Sequence, residues 1–449
     1  MNSAKNSRPA SDAATILCGT LRGLFLALVV GCTPPSALSA EADASWTART
    51  TPLEQLWRDV RVRNPEIAAA RQELEGAQQR IAPAHALEDP MLEMGVVNAP
   101  LKSMSLRRED MTMIMLGLTQ RLPFPGKRDL RAAVARMDAD SVKFAYEETV
   151  NRVMRDARAA YFDLVLVRQS RDIVVNNREV VEQFLHVAEA RYGVGQGTQA
   201  DVLKAQTQLS GMSDELLLND REEAAIQAQL RRLRDDASDP TTPIRPTPLP
   251  PMPRTLNIEI SALRQAAIRD RPQLRGLQSL IERNDQEVAL FQRDFYPDFD
   301  VRLSYGKRER TLDGARRDDM VSLTIAVNLP IWRKNRIEPR ITEALAMRNR
   351  TRELYRAQTA EVLAALDTQF ATALQSRLSA DLIEAGLLPQ SRLAVESSLA
   401  AYRVGRVDFS TLLDNQMIVY RYELERARTA ATYARALAEI DFLVGKAPE

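Results

Sequence analysis

An internal repeat with a spacing of about 207 residues constrains the fold of this chain more than any other feature. The segment 64–67 (Asn-Pro-Glu-Ile) returns at 271–274 as Arg-Pro-Gln-Leu, and 122–128 (Leu-Pro-Phe-Pro-Gly-Lys-Arg) returns at 329–335 as Leu-Pro-Ile-Trp-Arg-Lys-Asn. Further on, Tyr-Gly-Val-Gly at 192–195 returns at 402–405 as Tyr-Arg-Val-Gly. Each half is therefore predicted to be one unit of a helix, two strands and two further helices.

The first 32 residues have the pattern of an export signal. Scattered basic residues precede an apolar run over 24–30 that is too short to span a bilayer as a helix. The following Val-Val-Gly-Cys resembles a bacterial lipobox, which predicts a lipid on Cys32, and cleavage near 37–40 is the alternative. We expect an extended segment over 33–52. Because Cys18 and Cys32 are the only cysteines, the mature chain would have no internal disulfide.

The composition favours long helices over a globular enzyme. Aromatic residues make up 5% of the chain and charged residues 27%, with only 17 glycines in 449 residues. The formal net charge of +1 gives no reason to expect a nucleic-acid partner. No nucleophile, base or paired-carboxylate pattern is present, so we expect neither enzyme activity nor a cofactor. His85 and His186 lie far apart without other ligand types around them, and a zinc site is not expected.

Two long helical hairpins are predicted from the spacing of apolar residues. Positions 126–191 contain no proline, and the alternating three-four spacing of helices packed side by side is followed by Val150, Met154, Ala157, Tyr161 and Leu164. The second half repeats this pattern over about 336–403. Each long helix should turn at a Tyr-x-Val-Gly tip and return through a shorter helix, over about 199–234 and 410–444.

Strand-like stretches lie between the opening helix and the long helix of each half. The predicted strands cover 90–99 and 111–122, then 297–306 and 319–330. In the third stretch, Phe299, Val301, Leu303 and Tyr305 alternate with polar residues, and the fourth has the same period. Strands of about ten residues with one apolar face are typical of transmembrane barrels, whose other face lines a wet lumen.

Four strands per chain cannot span a membrane alone, because no strand edge stays unpaired in lipid. Two chains would give eight strands with a filled interior, whereas three would give twelve and begin to leave a channel. Polar stretches at 99–110 and 308–318 are predicted to be external loops. Residues 236–256, with seven prolines between 240 and 253, are predicted to be an extended linker between repeats 53–235 and 257–445.

The duplicated plan, the Leu-Pro-Phe-Pro-Gly-Lys-Arg turn and the two hairpin tips together resemble the TolC family of outer-membrane efflux ducts, over about residues 53–445. The resemblance implies a mainly α-helical homotrimer with a shared 12-stranded barrel in the outer membrane and a helical tunnel in the periplasm. It also implies two partners, an inner-membrane pump and a periplasmic adaptor (membrane fusion protein) that docks at the tips. The turn at 122–128 is most similar to the branch that serves heavy-metal pumps of the resistance-nodulation-division (RND) class, the CzcC and CusC groups.

The same resemblance implies roles for residues at the tips. Carboxylates just after the turns line the periplasmic constriction in this family, and Asp201 and Asp414 match those positions. This chain has Thr411 where a further acid is common. Arg403, Arg406 and Asp408 are candidates for an ion-pair lock of a closed state. The expected adaptor contacts are Tyr192, Val194, Gly195, Tyr402, Val404 and Gly405.

Methionines cluster near the second predicted strand. Met111, Met113 and Met115 are expected to share its luminal face, and thioethers are ligands that suit monovalent copper. The alternative is that methionine fills space in a tapering barrel. Lys127 and Arg128 follow a strand end, where basic side chains suit anionic head groups.

Other classes of protein remain as alternatives. A periplasmic adaptor would have one hairpin between β-rich flanks, whereas two are predicted here. A structural lipid-anchored coiled coil would not need strands with an apolar face. Within the duct class, the sequence leaves open multidrug efflux and type I secretion.

Overall fold

The fold was analysed in a computed structural model that describes residues 51–236, 244–249, 252 and 259–446. The predicted signal peptide, Cys32 and the alternative cleavage site at 37–40 lie outside the described residues. So do nearly all of the predicted extended segment and much of the proline-rich linker.

The two halves of the chain contain the same elements in the same order. The first half contains α1 (Thr51–Arg63), α2 (Pro65–Gln79), α3 (Ile81–His85), β1 (Met91–Val97), β2 (Met113–Leu122), α4 (Lys127–Gly193) and α5 (Gln199–Arg234). The second contains α6 (Ile260–Asp270), α7 (Pro272–Gln292), β3 (Phe299–Lys307), β4 (Met320–Val327), α8 (Glu338–Leu382), α9 (Leu388–Arg403) and α10 (Phe409–Val444). A mainly helical fold of two repeats, each with one strand pair, is thus what the sequence predicted.

Helix α4 is continuous over 67 residues, about 100 Å at 1.5 Å per residue. It begins after Gly126, which adopts a left-handed conformation (φ 87°) that a side chain would strain. All five residues of the predicted apolar stripe, from Val150 to Leu164, are buried. The stripe packs with α1 and α5 into one core that includes Trp57 and Leu230.

The chain is helical throughout the predicted range 336–403, but its hydrogen-bonding pattern changes within this range and at its start. A π-helical turn at Ile383–Leu387 separates α8 from α9, and another at Arg333–Ile337 precedes α8. In both cases a proline follows two residues later, Pro389 and Pro339. Because proline lacks an N–H and its ring clashes with the carbonyl four residues before it, the regular bonding pattern is interrupted at both places.

Described parts of the linker pack against both halves. The amide of Gln227 accepts a hydrogen bond from the Ile244 N–H (3.1 Å) and donates one to the Ile244 carbonyl (2.8 Å). The Thr247 N–H donates to the Tyr161 hydroxyl at 2.9 Å. Met252 then packs against the core formed by α6, α8 and α10.

The four strands form one antiparallel sheet in the order β1-β2-β3-β4. The pairing register places Leu92, Leu118, Leu303 and Leu323 side by side on one face, and all four are exposed in this chain. On the opposite face the next row contains Glu93, Gly117, Ser304 and Ser322. The sheet therefore has one apolar and one polar face. Its edge strands, β1 and β4, have no further partner in the described residues.

No helix in the described part of the chain is long and apolar enough to cross a membrane.

Candidate functional site

The polar face of the sheet carries an ion pair that crosses one strand. Arg302 Nη2 on β3 lies 2.5 Å from Glu93 Oε2 on β1. The intervening strand offers Gly117, and a methyl group there would lie 3.4 Å from Arg302 Nε, so only a small residue leaves the guanidinium this path. The arrangement places a fixed charge pair on the face that a duct would present to its cargo.

The Leu-Pro-Phe-Pro-Gly-Lys-Arg turn joins the sheet to the helices. Phe124 stacks on Tyr296 of the other repeat, with ring centroids 4.6 Å apart, and its N–H donates to Asp298 at 2.8 Å. Lys127 is buried, with its Nζ 2.8 Å from Asp298 and 3.2 Å from Asp294. Burial alone would raise the pKa of Asp298, but the bonds from Lys127 and Phe124 outweigh burial and lower it. Lys127 thus connects the sheet and the helices from a buried position and is not placed to meet an anionic head group. Arg128 donates to the His85 carbonyl at 2.7 Å.

Each hairpin tip is a short turn with a glycine in the left-handed region. Gly195 has φ 75° and Gly405 has φ 71°, which explains why the Tyr-x-Val-Gly pattern ends in glycine. The side chains of Val194 and Val404 are 70% and 68% exposed. Tyr402, in contrast, is 3% exposed and packs on Phe409 with ring centroids 5.5 Å apart. Of the two tip tyrosines expected to contact an adaptor, Tyr192 is therefore exposed, whereas the side chain of Tyr402 is buried within the chain.

Arg191 connects the two tips, although no pattern in the sequence around it predicts this contact. Its Nη1 donates to the Tyr402 carbonyl, its Nη2 donates to the Gln196 carbonyl at 3.0 Å, and its guanidinium lies 4.5 Å from the centre of the Tyr402 ring. An added methyl group at Gly405 would lie 3.4 Å from Arg191 Nη2. In the sequence, the glycine at position 405 is the one sign that another group, here Arg191, approaches the backbone closely.

The predicted lock among Arg403, Arg406 and Asp408 does not form within one chain. No ion pair in the described residues involves any of the three. Arginine still holds the tips together, but the residue is Arg191 and its partners are carbonyls and an aromatic ring.

The two predicted constriction carboxylates differ in their surroundings. Asp201 forms a capping box with Thr198: the Asp201 N–H donates to Thr198 Oγ1 (3.3 Å), and the Thr198 N–H donates to Asp201 Oδ2 (3.4 Å). Asp414 is exposed and lies 3.9 Å from Lys204 Nζ on the facing helix. Burial raises the pKa of the Tyr402 hydroxyl, and the negative charge of Asp201 raises it further against the opposing effect of Arg191. Asp201, Arg191 and Tyr402 thus belong to one electrostatic group at the tip.

The methionine prediction needs one correction. Met113 and Met115 lie on β2 and share its polar face, but Met111 lies in the turn before the strand and is exposed. The two histidines make ordinary contacts, His85 with Asp129 (3.1 Å) and His186 with Glu189 (3.4 Å). The described segments contain no group of three or more His, Cys, Asp or Glu side chains placed to hold a metal ion.

A sheet with one apolar face, joined to two long helical hairpins by duplicated turns, defines the fold of TolC-like outer-membrane channels. The chain belongs to the outer membrane efflux protein family, whose sequence profile matches residues 56–234 and 263–446, one match for each repeat. It is a protein of the outer membrane, and the family consists of efflux proteins and not of enzymes.

The chain is also similar to individual proteins. The chain is 20% identical over 401 residues to the cobalt-zinc-cadmium resistance protein CzcC of Cupriavidus metallidurans, covering 85% of this chain and 87% of CzcC. The solved outer-membrane channel OprN matches with a TM-score of 0.76 at 17% identity, covering 88% of this chain and 90% of OprN. CusC also matches with a TM-score of 0.76, at 12% identity, covering 92% of this chain and 96% of CusC.

Proposed function

We propose that this protein is the outer-membrane exit duct of a tripartite heavy-metal efflux system. In this role a homotrimer passes metal ions from an inner-membrane pump of the RND class, through a periplasmic adaptor, to the outside. The main support for a role as a duct is the four-stranded sheet, which has an exposed row of leucines on one face and an ion pair on the other. The similarity to a cobalt-zinc-cadmium resistance protein supports metal ions as the cargo.

The unpaired sheet edges support assembly into a trimer. The leucine row needs lipid around it, and in lipid the free backbone groups of β1 and β4 must pair with other strands. Pairing β4 of one chain with β1 of the next closes a barrel of three sheets, which is the smallest closed assembly with an open lumen.

The exposed residues at the tips support adaptor docking. Tyr192, Val194 and Val404 present apolar surface at the hairpin tips, at the end of the long helices opposite to the end that joins the sheet. An apolar anchor at the centre of a small contact is the usual source of binding energy between proteins.

Near the N-terminus, we propose a lipid on Cys32 that anchors the mature chain.

Asp201 and Asp414 support a cation-selective constriction. Threefold symmetry would turn each carboxylate into a ring of three, and such rings attract cations and hinder anions. A double change of Asp201→Ala and Asp414→Ala should lower cation selectivity and raise conductance in planar bilayers. Asp214→Ala, at an exposed carboxylate farther along α5, is the matched control. Unchanged conductance and selectivity in the double variant would refute the constriction.

Metal tolerance of a deletion strain tests the cargo. We expect loss of the gene to lower growth in cobalt, zinc or cadmium, and the wild-type chain to restore it. If tolerance of these metals is unchanged while tolerance of organic antibiotics falls, the cargo is a drug and the metal assignment is wrong.

A further inference from the structure

Three methionines surround one glycine on the polar face of the sheet. In the pairing register, Gly306 of β3 lies between Met115 of β2 and Met320 of β4. The side chain of Met113 lies over Gly306, since a methyl group added to this glycine would overlap Met113 Sδ. Gly95 lies on the other side of Met115 in the same row. Two glycines therefore leave space around the thioethers.

Each of the three methionines belongs to the face that we assign to the lumen. Met115 and Met320 share the face of Gly306 because residues directly opposite in a sheet project to the same side. Gly306 itself is covered, whereas its neighbour Tyr305, on the opposite face, is exposed. Met320 replaces Met111 in the set expected from the sequence, because Met111 lies outside the strand.

The charged groups near the row of Gly95, Met115, Gly306 and Met320 bind other partners. In the neighbouring row, Glu93 is paired with Arg302 across Gly117. Beyond Gly306, Arg308 donates from Nε to the Asp318 carbonyl (2.7 Å) and from Nη1 to the Asp110 carbonyl (3.3 Å). The thioethers are thus the donor atoms that remain free to meet a cation at this row.

We propose that Met113, Met115 and Met320 form a binding site for a soft monovalent cation, Cu⁺ or Ag⁺, beside Gly306. Thioether sulfur is a soft donor that favours such ions over Mg²⁺ or Ca²⁺, which need oxygen ligands. Neutral ligands hold the ion without trapping it, which suits a wall that must release its cargo. This role as an exit ligand rests on the proposed efflux function, whereas the binding itself does not.

Silver binding to the purified protein tests the site. The full-length protein in detergent is titrated with Ag⁺ in a chloride-free buffer, and bound silver per chain is measured by mass spectrometry of the metal after gel filtration. We expect one bound ion per chain, with sulfur neighbours in silver X-ray absorption spectra. The triple change of Met113→Leu, Met115→Leu and Met320→Leu should weaken binding by at least about tenfold, which is the lower end of what even outer partners of a metal site contribute.

Matched variants separate a site from nonspecific binding to methionine. Met94→Leu changes a thioether on the opposite face of the sheet, and Met111→Leu changes one in the turn, so both should bind silver like the wild type. Gly306→Ala keeps all methionines but displaces Met113 Sδ, and it should weaken binding. Equal silver binding in the wild type and the triple variant, or equal loss in Met94→Leu, would overturn the proposal.

Bilayer conductance distinguishes a failure of this site from a failure of the duct. If the triple variant conducts like the wild type while losing silver, the site is real and the duct is intact. If wild-type protein forms channels but binds no silver, the site is refuted and the duct stands.

Discussion

Replacing Lys127 by methionine should lower the free energy of unfolding by about 3 kcal/mol, because it breaks a buried ion pair where the sheet meets the helices. This value is the lower end of the usual cost of breaking such a pair. The lysine side chain is 4% exposed, and its Nζ lies 2.8 Å from Asp298 and 3.2 Å from Asp294. We use the lower end of this range because both carboxylates retain a partner without Lys127. Asp298 still accepts a hydrogen bond from the Phe124 N–H, and Asp294 still lies 3.5 Å from Arg340 Nη1. Guanidinium unfolding of the detergent-solubilised protein, followed by circular dichroism, measures the change.

Lys143→Met is the matched control on the same helix. Lys143 is 53% exposed and pairs with Glu147 at 4.0 Å, so its loss should cost at most about 0.5 kcal/mol. Adding Asp298→Asn to Lys127→Met should recover part of the loss, since the buried charge left behind is removed. Equal stabilities of the Lys127→Met and Lys143→Met variants would refute the reasoning.

The same joint should respond to pH with a defined sign. The pKa of Asp298 is lower in the folded chain than in the unfolded chain, so its contribution is present above the ordinary carboxyl pKa of about 4 and is lost as the pH falls through the folded value. The difference in stability between wild type and Lys127→Met should therefore shrink in acid. A difference that grows as the pH falls would contradict the assignment.

Two further predictions concern the tips and the contact between the repeats. Arg191→Ala removes hydrogen bonds to the Tyr402 and Gln196 carbonyls, and the loosened tips should raise the conductance in bilayers. Arg191→Lys should not restore the wild-type conductance, because an ammonium group cannot bind both carbonyls and also stack on the Tyr402 ring. Arg271 of the second repeat is buried, and its Nη2 lies 3.0 Å from Glu148 Oε1 of the first repeat. Arg271→Leu alone should lower the free energy of unfolding by about 3 kcal/mol, because it leaves the Glu148 carboxylate without this partner. Burial raises the pKa of Glu148, so the cost should fall in acid as that carboxyl protonates. Changing Arg271 and Glu148 together to leucine should be close to neutral, and unfolding curves that show additive losses would contradict this.

Much of the architecture follows from patterns that the sequence displays directly. Alternation with a period of two located the strands, because one face is apolar except for Gln120 and Lys307, and the duplication fixed how the strands correspond. The apolar stripe on α4 was visible because its residues recur at helical spacing. These features are local or repeated, so one sequence is enough to find them.

Contacts between distant segments could not be predicted in the same way. Nothing near Arg191 in the sequence indicates that it reaches Tyr402, since the contact depends on how two hairpins pack. The grouping of Met320 with Met113 and Met115 needed the pairing of β2, β3 and β4, because Gly306 is what brings them together. The π-helical turn between α8 and α9 was foreseeable from Pro389, but the likeness to α4 concealed it.

The number of chains in the detergent-extracted particle tests the central claim most directly. Each chain supplies four strands with an exposed leucine row and two unpaired edges, and closure in lipid requires further copies. Native mass spectrometry of the purified protein should give three chains per particle. A stable particle of one chain would contradict the account of a shared barrel.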